Sequence, residues 1–293
     1  SAYIFNVTTG AQLHNLTASD VASGDYFGYS VAIHGNYAVV GSYRDNDHGS
    51  GSGSAYIFDV VTGNEIKKIT ASDAVTEDEF GMAVAIDGNY IIVGARYNDD
   101  GGSSSGSAYI FGPTEDSLLK ITNDSQNLIV NGTVVSDAIT TDAIVSKSNI
   151  LDNLNVGVGI ATDYTFSVET KITASDGVAG KRFGCSVDID DNYAIVGAHY
   201  DNKTYIYNLH TGAEIHTLIS SDGQTGQFGV GVAISGNYAI VGARTAGTYD
   251  GRAYIFNVQT GYELHILEQD TTDASAYFGE NVAIDGNYAI VGA

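Results

Sequence analysis

The chain has 293 residues and a formal net charge of −23, from 12 Lys and Arg against 35 Asp and Glu. This balance excludes a nucleic-acid partner, because phosphate binding depends on clustered Lys and Arg. No apolar run approaches the roughly 20 residues that a membrane-spanning helix needs, so no membrane insertion is expected. A single cysteine leaves no internal disulfide, and 36 glycines with one proline suit a protein of strands and turns.

Two strings recur along the chain in a fixed phase. One is Ala-Tyr-Ile-Phe, followed by a Thr-Gly turn. The other begins with a Phe-Gly pair and runs through Val-Ala-Ile and a Gly-Asn pair to Val-Gly-Ala. The glycine of the Phe-Gly pair recurs at Gly28, Gly81, Gly184, Gly229 and Gly279. Repeats of about 50 residues are typical of the blades of β-propellers.

Each unit predicts four strands in chain order. Val-Ala-Ile is the first, and a Gly-Asn hairpin turn such as Gly35-Asn36 joins it to the second, Tyr-Ala-Ile-Val-Gly. Ala-Tyr-Ile-Phe is the third strand, and the segment after the Thr-Gly turn is the fourth. The continuous apolar runs of the second and third strands predict burial on both faces, as in blades that pack face to face. The predicted fold class is therefore all-β, a β-propeller.

The spacing of the repeats predicts how many blades there are. The gap from Gly81 to Gly184 is about twice the others, so six units are expected. The chain begins with a third and a fourth strand and ends with a first and a second. This phase predicts that the terminal strands close one shared blade and that residues 1–293 form a single propeller domain. The alternative is a fragment of a longer array.

Residues 123–170 break the repeat. Segments 155–160 and 164–169 resemble a weak second and a weak third strand, and 171–176 then repeats 68–73 closely. We interpret 123–170 as a degenerate fourth blade. The alternative is a small β insertion in a ring of five regular blades.

The paired Phe-Gly and Val-Gly-Ala strings resemble FG-GAP repeats, the units of the integrin α-subunit propeller and of many bacterial and algal-virus surface proteins. The resemblance covers the whole chain except about 123–170. It implies a propeller that serves ligand recognition, adhesion or scaffolding. Many members bind calcium through a D-x-D-x-D-G loop between the first two strands. Here a short turn replaces that loop in every unit, so those calcium sites do not carry over.

A weaker resemblance lies within the irregular stretch. Residues 155–160 and 164–168 look like a motif of phage and algal-virus fibre proteins. That resemblance implies a virion-surface or cell-surface structural protein.

The loop between the second and third strands is the strongest candidate site. It is long and acidic in two units, where it carries Asp45, Asn46 and Asp47, and Asn98, Asp99 and Asp100. Calcium takes carboxylate, amide and carbonyl oxygens from flexible loops of this kind. These six residues are therefore predicted calcium ligands, and calcium is the only cofactor expected. The alternative is a solvated turn, since Asn, Asp and Gly are ordinary turn residues.

Other recurring polar residues have scaffold interpretations. The aspartates of the Ala-Ser-Asp strings are expected to close turns on their own backbone. Asp188 stands where other units have alanine and is expected to pair with Lys181 or Arg182, because a buried charge needs a partner. His14, His216 and His265 occupy one place in different units and are expected to be exposed strand residues.

These observations predict a non-catalytic extracellular, cell-surface or virion-surface module for adhesion or recognition, with a glycan or a protein as ligand. The alternative is a structural building block of a virion, fibre or filament, which predicts self-assembly. A glycan-cleaving enzyme is a third hypothesis. It needs unlike catalytic groups that converge on the propeller axis, whereas the repeats supply near-identical residues.

Overall fold

A computed structural model describes residues 1–113, 120–124, 127–131, 166–269 and 277–293, with the backbone alone at 120–124, 127–131 and 248–249. Apart from a four-residue helix, α1 (Ala246–Tyr249), their regular structure is β-strand, which confirms the all-β class. No helix in these ranges has the length and apolarity to cross a membrane. The chain divides into two compact units, Ser1–Phe111 with Glu169–Ala293, and Gly112–Val168.

The first half of the chain forms a hairpin, one complete four-stranded antiparallel sheet and three strands of a second. We call the four-stranded sheets blades. The N-terminal hairpin pairs β1 (Ala2–Phe5) with β2 (Gln12–Leu16). The first blade has the strands β3 (Val31–His34), β4 (Tyr37–Ser42), β5 (Ser54–Asp59) and β6 (Glu65–Ile69). The second blade begins with β7 (Phe80–Asp87), β8 (Tyr90–Ala95) and β9 (Ser107–Gly112).

A separate hairpin of β10 (Lys120–Asp124) and β11 (Asn127–Asn131) follows, and β12 (Val168–Ile172) then completes the second blade. The third blade has β13 (Ser186–Asp190), β14 (Tyr193–Ala198), β15 (Lys203–Asn208) and β16 (Glu214–Leu218). The fourth has β17 (Phe228–Ser235), β18 (Tyr238–Ala243), β19 (Arg252–Asn257) and β20 (Glu263–Leu267). The C-terminal hairpin pairs β21 (Val282–Asp285) with β22 (Tyr288–Val291).

The strand order of the second blade shows where the irregular stretch belongs. Because β12 pairs with β9, the chain from Gly112 to Val168 lies between the third and fourth strands of one blade. This pairing agrees with the β-insertion alternative, and the degenerate fourth blade stays a prediction. The wide gap from Gly81 to Gly184 is therefore one blade plus inserted chain. The weak strands predicted at 155–160 and at most of 164–169 lie outside the described residues.

The two terminal hairpins remain separate two-stranded sheets. The N-terminal hairpin buries Ala2, Ile4 and Leu16 against the first blade, and the C-terminal hairpin packs against the fourth. β22 is not hydrogen-bonded to β1, so the shared blade predicted from the repeat phase is not formed among the described residues. The phase makes the two hairpins complementary in sequence. Whether the two hairpins pair in the folded protein depends on the angle between successive blades, and the order of the repeats along the sequence does not determine that angle.

Successive blades approach each other backbone to backbone at two glycines. A Cβ atom on Gly41 would lie 2.0 Å from the carbonyl oxygen of Gly81 in the next blade, and one on Gly94 would lie 2.0 Å from that of Gly184. Gly81 also has a φ of +90°, in the left-handed region that favours glycine. The glycine of Val-Gly-Ala and the glycine of the next Phe-Gly pair thus recur together because no side chain fits between them.

The phenylalanine of the Phe-Gly pair completes the core of each blade. The Phe80 ring centre lies 5.4 Å from that of Tyr109 and 6.0 Å from that of Phe111, both in edge-on contact. Such contacts are the preferred geometry of aromatic pairs. All six residues of β9 are buried, as the continuous apolar run of the third strand predicted.

Candidate functional site

Antiparallel pairing divides the connections of each blade between two edges. The Gly-Asn and Thr-Gly turns lie at one edge. The loop between the second and third strands and the segment before each Phe-Gly pair lie at the other, which we call the loop edge. The six predicted calcium ligands all belong to the loop edge.

The first acidic loop converges on a lysine of its own blade. Nζ of Lys68 lies 2.5 Å from Oδ2 of Asp20, 3.1 Å from Oδ2 of Asp45 and 2.5 Å from Oδ2 of Asp47. Burial alone would lower the pKa of Lys68, but its hydrogen bonds to these carboxylates raise it above its usual range. Asn46 instead accepts a hydrogen bond from the backbone N–H of Gly51 at 2.8 Å. The structure therefore adds Asp20 and Lys68 to the predicted group and leaves Asn46 out.

The second acidic loop has the same arrangement. Nζ of Lys171 donates to Oδ1 of Asn98 at 3.2 Å, to Oδ2 of Asp73 at 2.5 Å and to Asp100. Asp99 turns away and accepts a hydrogen bond from the backbone N–H of Ser104 at 2.6 Å. In both loops an ammonium group thus lies where the carboxylates converge. Calcium binding by these loops stays a prediction.

The aspartates of the Ala-Ser-Asp strings join one blade to the next. Asp20, which follows β2, accepts a 2.8 Å hydrogen bond from the hydroxyl of Tyr56 in the first blade. Tyr109 donates to Asp73 at 2.8 Å, and Tyr205 donates to Asp176 at 2.7 Å. These aspartates therefore have a scaffold role, as expected. They fulfil it through hydrogen bonds from tyrosines of the next blade, which the sequence did not predict.

Asp188 and the histidines also act within the scaffold. Asp188 accepts a 2.9 Å hydrogen bond from the backbone N–H of Ile234, and burial raises its pKa to about 6. Its predicted ion pair is not formed, because Lys181 contacts Asp201 at 2.9 Å and Arg182 stacks on tyrosines. His14, expected to be merely exposed, bonds through Nε2 to a backbone carbonyl of the next blade, and His216 does the same.

Aromatic and arginine side chains form a second feature of the loop edge. The Tyr26 and Tyr43 ring centres are 5.2 Å apart, and the guanidinium carbon of Arg44 lies 5.6 Å from the Tyr43 ring centre. Nη2 of Arg44 lies 2.8 Å from Oε1 of Glu79 in an ion pair, and Nε of Arg96 donates a 2.7 Å hydrogen bond to Oε2 of the same carboxylate. These contacts connect the first blade to the second.

The same row continues into the third blade. The guanidinium carbons of Arg96 and Arg182 each lie 4.8 Å from the Tyr97 ring centre, and that of Arg182 lies 4.1 Å from the Tyr200 ring centre. Tyr29 joins the row at its first end, where its ring centre lies 4.7 Å from that of Tyr43. We call the row the tyrosine–arginine ladder: Tyr26, Tyr29, Tyr43, Arg44, Glu79, Arg96, Tyr97, Arg182 and Tyr200. The sequence has five arginines. Arg244 holds in the fourth blade the position that Arg96 holds in the second, directly after Val-Gly-Ala. Arg252 is not part of the ladder.

One backbone conformation carries different side chains along the loop edge. The residue before each Phe-Gly pair has a positive φ of 56° to 58° in all five units: Tyr26, Glu79, Arg182, Gln227 and Tyr277. Each costs about 1 kcal/mol for a residue other than glycine. Aligning the repeats in columns would have revealed this position, because the neighbouring Phe-Gly pair is constant while this residue changes.

A histidine next to the ladder, His199, has a lowered pKa. His199 is largely buried, and its Nδ1 has no hydrogen-bond partner among the described residues. Burial, together with the positive charges of Arg182, Arg244 and Arg96, lowers the pKa of His199 to about 4. Burial and the neighbouring guanidinium groups thus both favour the neutral imidazole of His199.

Packed four-stranded antiparallel sheets that repeat along the chain, with loops gathered at one edge, define a repeat protein of the β-propeller class. The model of the FG-GAP repeat matches residues 11–58, 64–111, 166–213 and 212–256, more than half of the chain. The protein belongs to the FG-GAP repeat family, and the resemblance seen in the sequence is confirmed.

Two further comparisons complete this result. No curated protein matches the chain. The chain is similar to a solved structure of the computationally designed Ika8 protein, with 15% identity and a TM-score of 0.46 over 99% of this chain and 74% of that chain. The fibre-protein resemblance of 155–168 finds no support in these comparisons.

Proposed function

We propose that this protein is a non-catalytic recognition module that acts at an extracellular, cell or virion surface and binds a glycan or protein through the tyrosine–arginine ladder. FG-GAP repeats form propeller domains that often serve adhesion or ligand binding and are commonly extracellular. The observation that carries the proposal is the repeated backbone at the loop edge, which holds a different side chain in successive units. A scaffold role alone would not require that difference.

The composition and exposure of the ladder support a binding role. Tyr26, Tyr29 and Tyr200 are 59%, 54% and 48% exposed, so their side chains are accessible to a ligand. Tyrosine and arginine are enriched among the residues that contribute most to binding energy. Their stacking on one another and the rigid sheets below them lower the entropy lost when a ligand is bound.

The acidic groups of the loop edge favour recognition over catalysis. The carboxylates of Asp20, Asp45 and Asp47 share the ammonium of Lys68, and the second loop repeats this arrangement with Lys171. A general acid or base instead needs a proton it can exchange near the working pH. Burial would raise the pKa of Asp20 and of Asp73, but their hydrogen bonds to lysine and tyrosine lower it, so these two carboxylates are poor candidates for that role.

The test is an array of glycans and surface proteins, probed with the native protein and with a Tyr26→Ser, Tyr200→Ser double variant. We expect the double variant to lose at least tenfold in binding. Tyr262, which is 74% exposed next to a Thr-Gly turn at the opposite edge, supplies the control Tyr262→Ser. The proposal fails if the control loses as much as the double variant, or if the native protein binds nothing. Parallel arms with calcium and with EDTA test the calcium prediction.

A structural role remains the second candidate, and the terminal hairpins favour it. Tyr288 and Ile290 of β22 are 84% and 72% exposed, and a cavity of about 220 Å³ lies between β22 and the fourth blade. In the complete blades this strand pairs with Ala-Tyr-Ile-Phe, the sequence that β1 presents at its own free edge. Unpaired edges of this kind add strands from other chains. Concentration-dependent assembly in sedimentation that Ile290→Lys abolishes would support this role, and a monomer at all concentrations would contradict it.

A further inference from the structure

Arg182 differs from the other arginines in its electrostatic environment. Arg44 and Arg96 bond to Glu79, Arg244 bonds to Glu280, and Arg252 bonds to Asp222 and Glu268. Within 1–113, 166–269 and 277–293, Arg182 has no carboxylate partner. This is unexpected in a chain of net charge −23, where acidic groups are abundant.

The side chain of Arg182 is nevertheless held in place. Its guanidinium carbon lies 4.8 Å from the Tyr97 ring centre and 4.1 Å from that of Tyr200. Its backbone has a φ of 57°, and its N–H donates a 3.1 Å hydrogen bond to the carbonyl of Ser104. Stacking between rings orients the guanidinium while leaving the N–H donors at its edge available.

The two flanking tyrosines also keep hydrogen-bonding capacity. In the part of the chain that the structure describes, neither the Tyr97 hydroxyl nor the Tyr200 hydroxyl has a partner. In contrast, the buried hydroxyls of Tyr56 and Tyr109 bond to aspartates. A planar cation and two tyrosine rings therefore pack together at one half-exposed point, and the cation has no acceptor among the residues that the structure describes.

From this geometry we infer that Arg182, Tyr97 and Tyr200 form a binding site for the carboxylate of an acidic sugar. The guanidinium fork matches a carboxylate with two parallel hydrogen bonds, and the tyrosine hydroxyls supply hydrogen bonds for the hydroxyl groups of the adjoining sugar ring. This inference rests on the proposed recognition function and names the ligand class for one part of the ladder.

The strongly negative net charge of the chain favours a ligand that carries a single negative group over an extended anion. Electrostatic interactions are screened over about 8 Å at physiological ionic strength. The charge of Arg182 therefore dominates the electrostatic potential only in its immediate surroundings. A polyanion or an acidic peptide would extend beyond that distance over a surface rich in carboxylates and be repelled. A sugar with one carboxylate places its remaining hydroxyl groups there without that cost.

The experiment is a titration of the native protein with methyl glucuronide, followed by NMR shifts of the tyrosine and arginine side chains. Methyl glucoside is the matched neutral sugar, acetate tests the anion alone, and a short glutamate-rich peptide tests the acidic-peptide alternative. We expect binding of the glucuronide and at least tenfold weaker binding of the other three. Arg182→Lys keeps the charge and the backbone strain but loses the fork, so a tenfold or greater loss is expected.

The matched control is Arg252→Lys, at an arginine that is paired with Asp222 and lies outside the ladder; it should bind the glucuronide as the native protein does. Equal binding of the glucoside, acetate or peptide would overturn the inference, as would an unchanged affinity in Arg182→Lys or no glucuronide binding. Loss of this site while other ligands still bind in the array would leave the proposed recognition function intact. Absence of all binding in the array would remove that function instead.

Discussion

Nζ of Lys68 lies 3.1 Å from Oδ2 of Asp45, so the first predicted calcium loop is neutralised by a lysine of the last strand of its own blade. Asp20 and Asp47 complete the same cluster, and their ligand oxygens lie within 4.8 Å of one another. Three carboxylates at this separation repel each other unless a cation lies between them. The lysine supplies that cation from within the chain.

Replacing this lysine tests what the acidic loop requires. We expect Lys68→Met to lower the free energy of unfolding by about 3 kcal/mol, because it leaves the largely buried Asp45 unpaired. We also expect calcium to raise the melting temperature of the variant and not that of the native protein, since the vacated position then suits a cation. Thermal unfolding with calcium and with EDTA measures both effects.

Lys67→Met is the control, because the neighbouring lysine is not a donor to this cluster; a small effect without calcium dependence is expected. Calcium-dependent stabilisation of the native protein would contradict the lysine interpretation and support the calcium prediction of the sequence.

Glu79 is the buried acid that connects the first two blades at the loop edge. It is fully buried between Arg44 and Arg96. Glu79→Gln leaves both guanidinium groups without their shared anion, so we expect a loss of about 3 kcal/mol in the free energy of unfolding. Glu77 bonds to the same Arg44 but is 53% exposed, and Glu77→Gln should cost less than about 1 kcal/mol. Equal losses from the two variants in urea unfolding would contradict this assignment.

Two glycines at equivalent positions, Gly41 at a contact between blades and Gly292 without such a close contact, allow the role of that contact to be tested. Gly41→Ala would place a Cβ atom 2.0 Å from the Gly81 carbonyl oxygen, so the blades must separate, and we expect a loss of more than about 3 kcal/mol. Gly292 holds the same position in the C-terminal hairpin, where the nearest atom would lie at 3.5 Å. Gly292→Ala should therefore change the melting temperature little. A similar loss in both variants would show that strand conformation, and not blade contact, requires the glycine.

The pH dependence of the free energy of unfolding tests the lowered pKa of His199. Its pKa in the folded state is about 4, below the ordinary value of 6.5, because of burial and the charges of Arg182, Arg244 and Arg96. The unfolded chain then binds the proton first, so the stabilisation is complete above pH 6.5 and is lost as the pH falls towards 4. At about 1.4 kcal/mol per pKa unit, the shift from 6.5 to about 4 corresponds to a loss of at most about 3.5 kcal/mol.

Comparison with His199→Gln isolates this contribution in urea unfolding at pH 7, 5.5 and 4.5. The comparison is needed because Asp188 acts in the opposite direction: burial raises its pKa to about 6, so its contribution is lost as the pH rises towards 6. We expect the difference between the native protein and the variant to shrink as the pH falls. A difference that does not change with pH would contradict the assignment.

The sequence contains most of the information about the fold of a single blade. The Phe-Gly and Val-Gly-Ala strings, the Gly-Asn turns and the continuous apolar runs predicted four strands, their order and the burial of the third strand. These properties follow from local backbone preference and from the period of side chains along a strand. The grouping of Asp45 with Asp47 was also visible, because both belong to one loop.

The tertiary structure decided which strands and side chains meet. The string 171–176 identified a fourth strand, but only pairing with β9 assigned Val168–Ile172 to the second blade. Lys68 was unremarkable in the sequence until folding brought it to Asp20, which follows the N-terminal hairpin. Arg182 likewise became a candidate site only when Tyr97 and Tyr200 stacked on it. Hydrophobic period and turn chemistry act over a few residues, whereas contacts between blades depend on the angle at which rigid sheets pack.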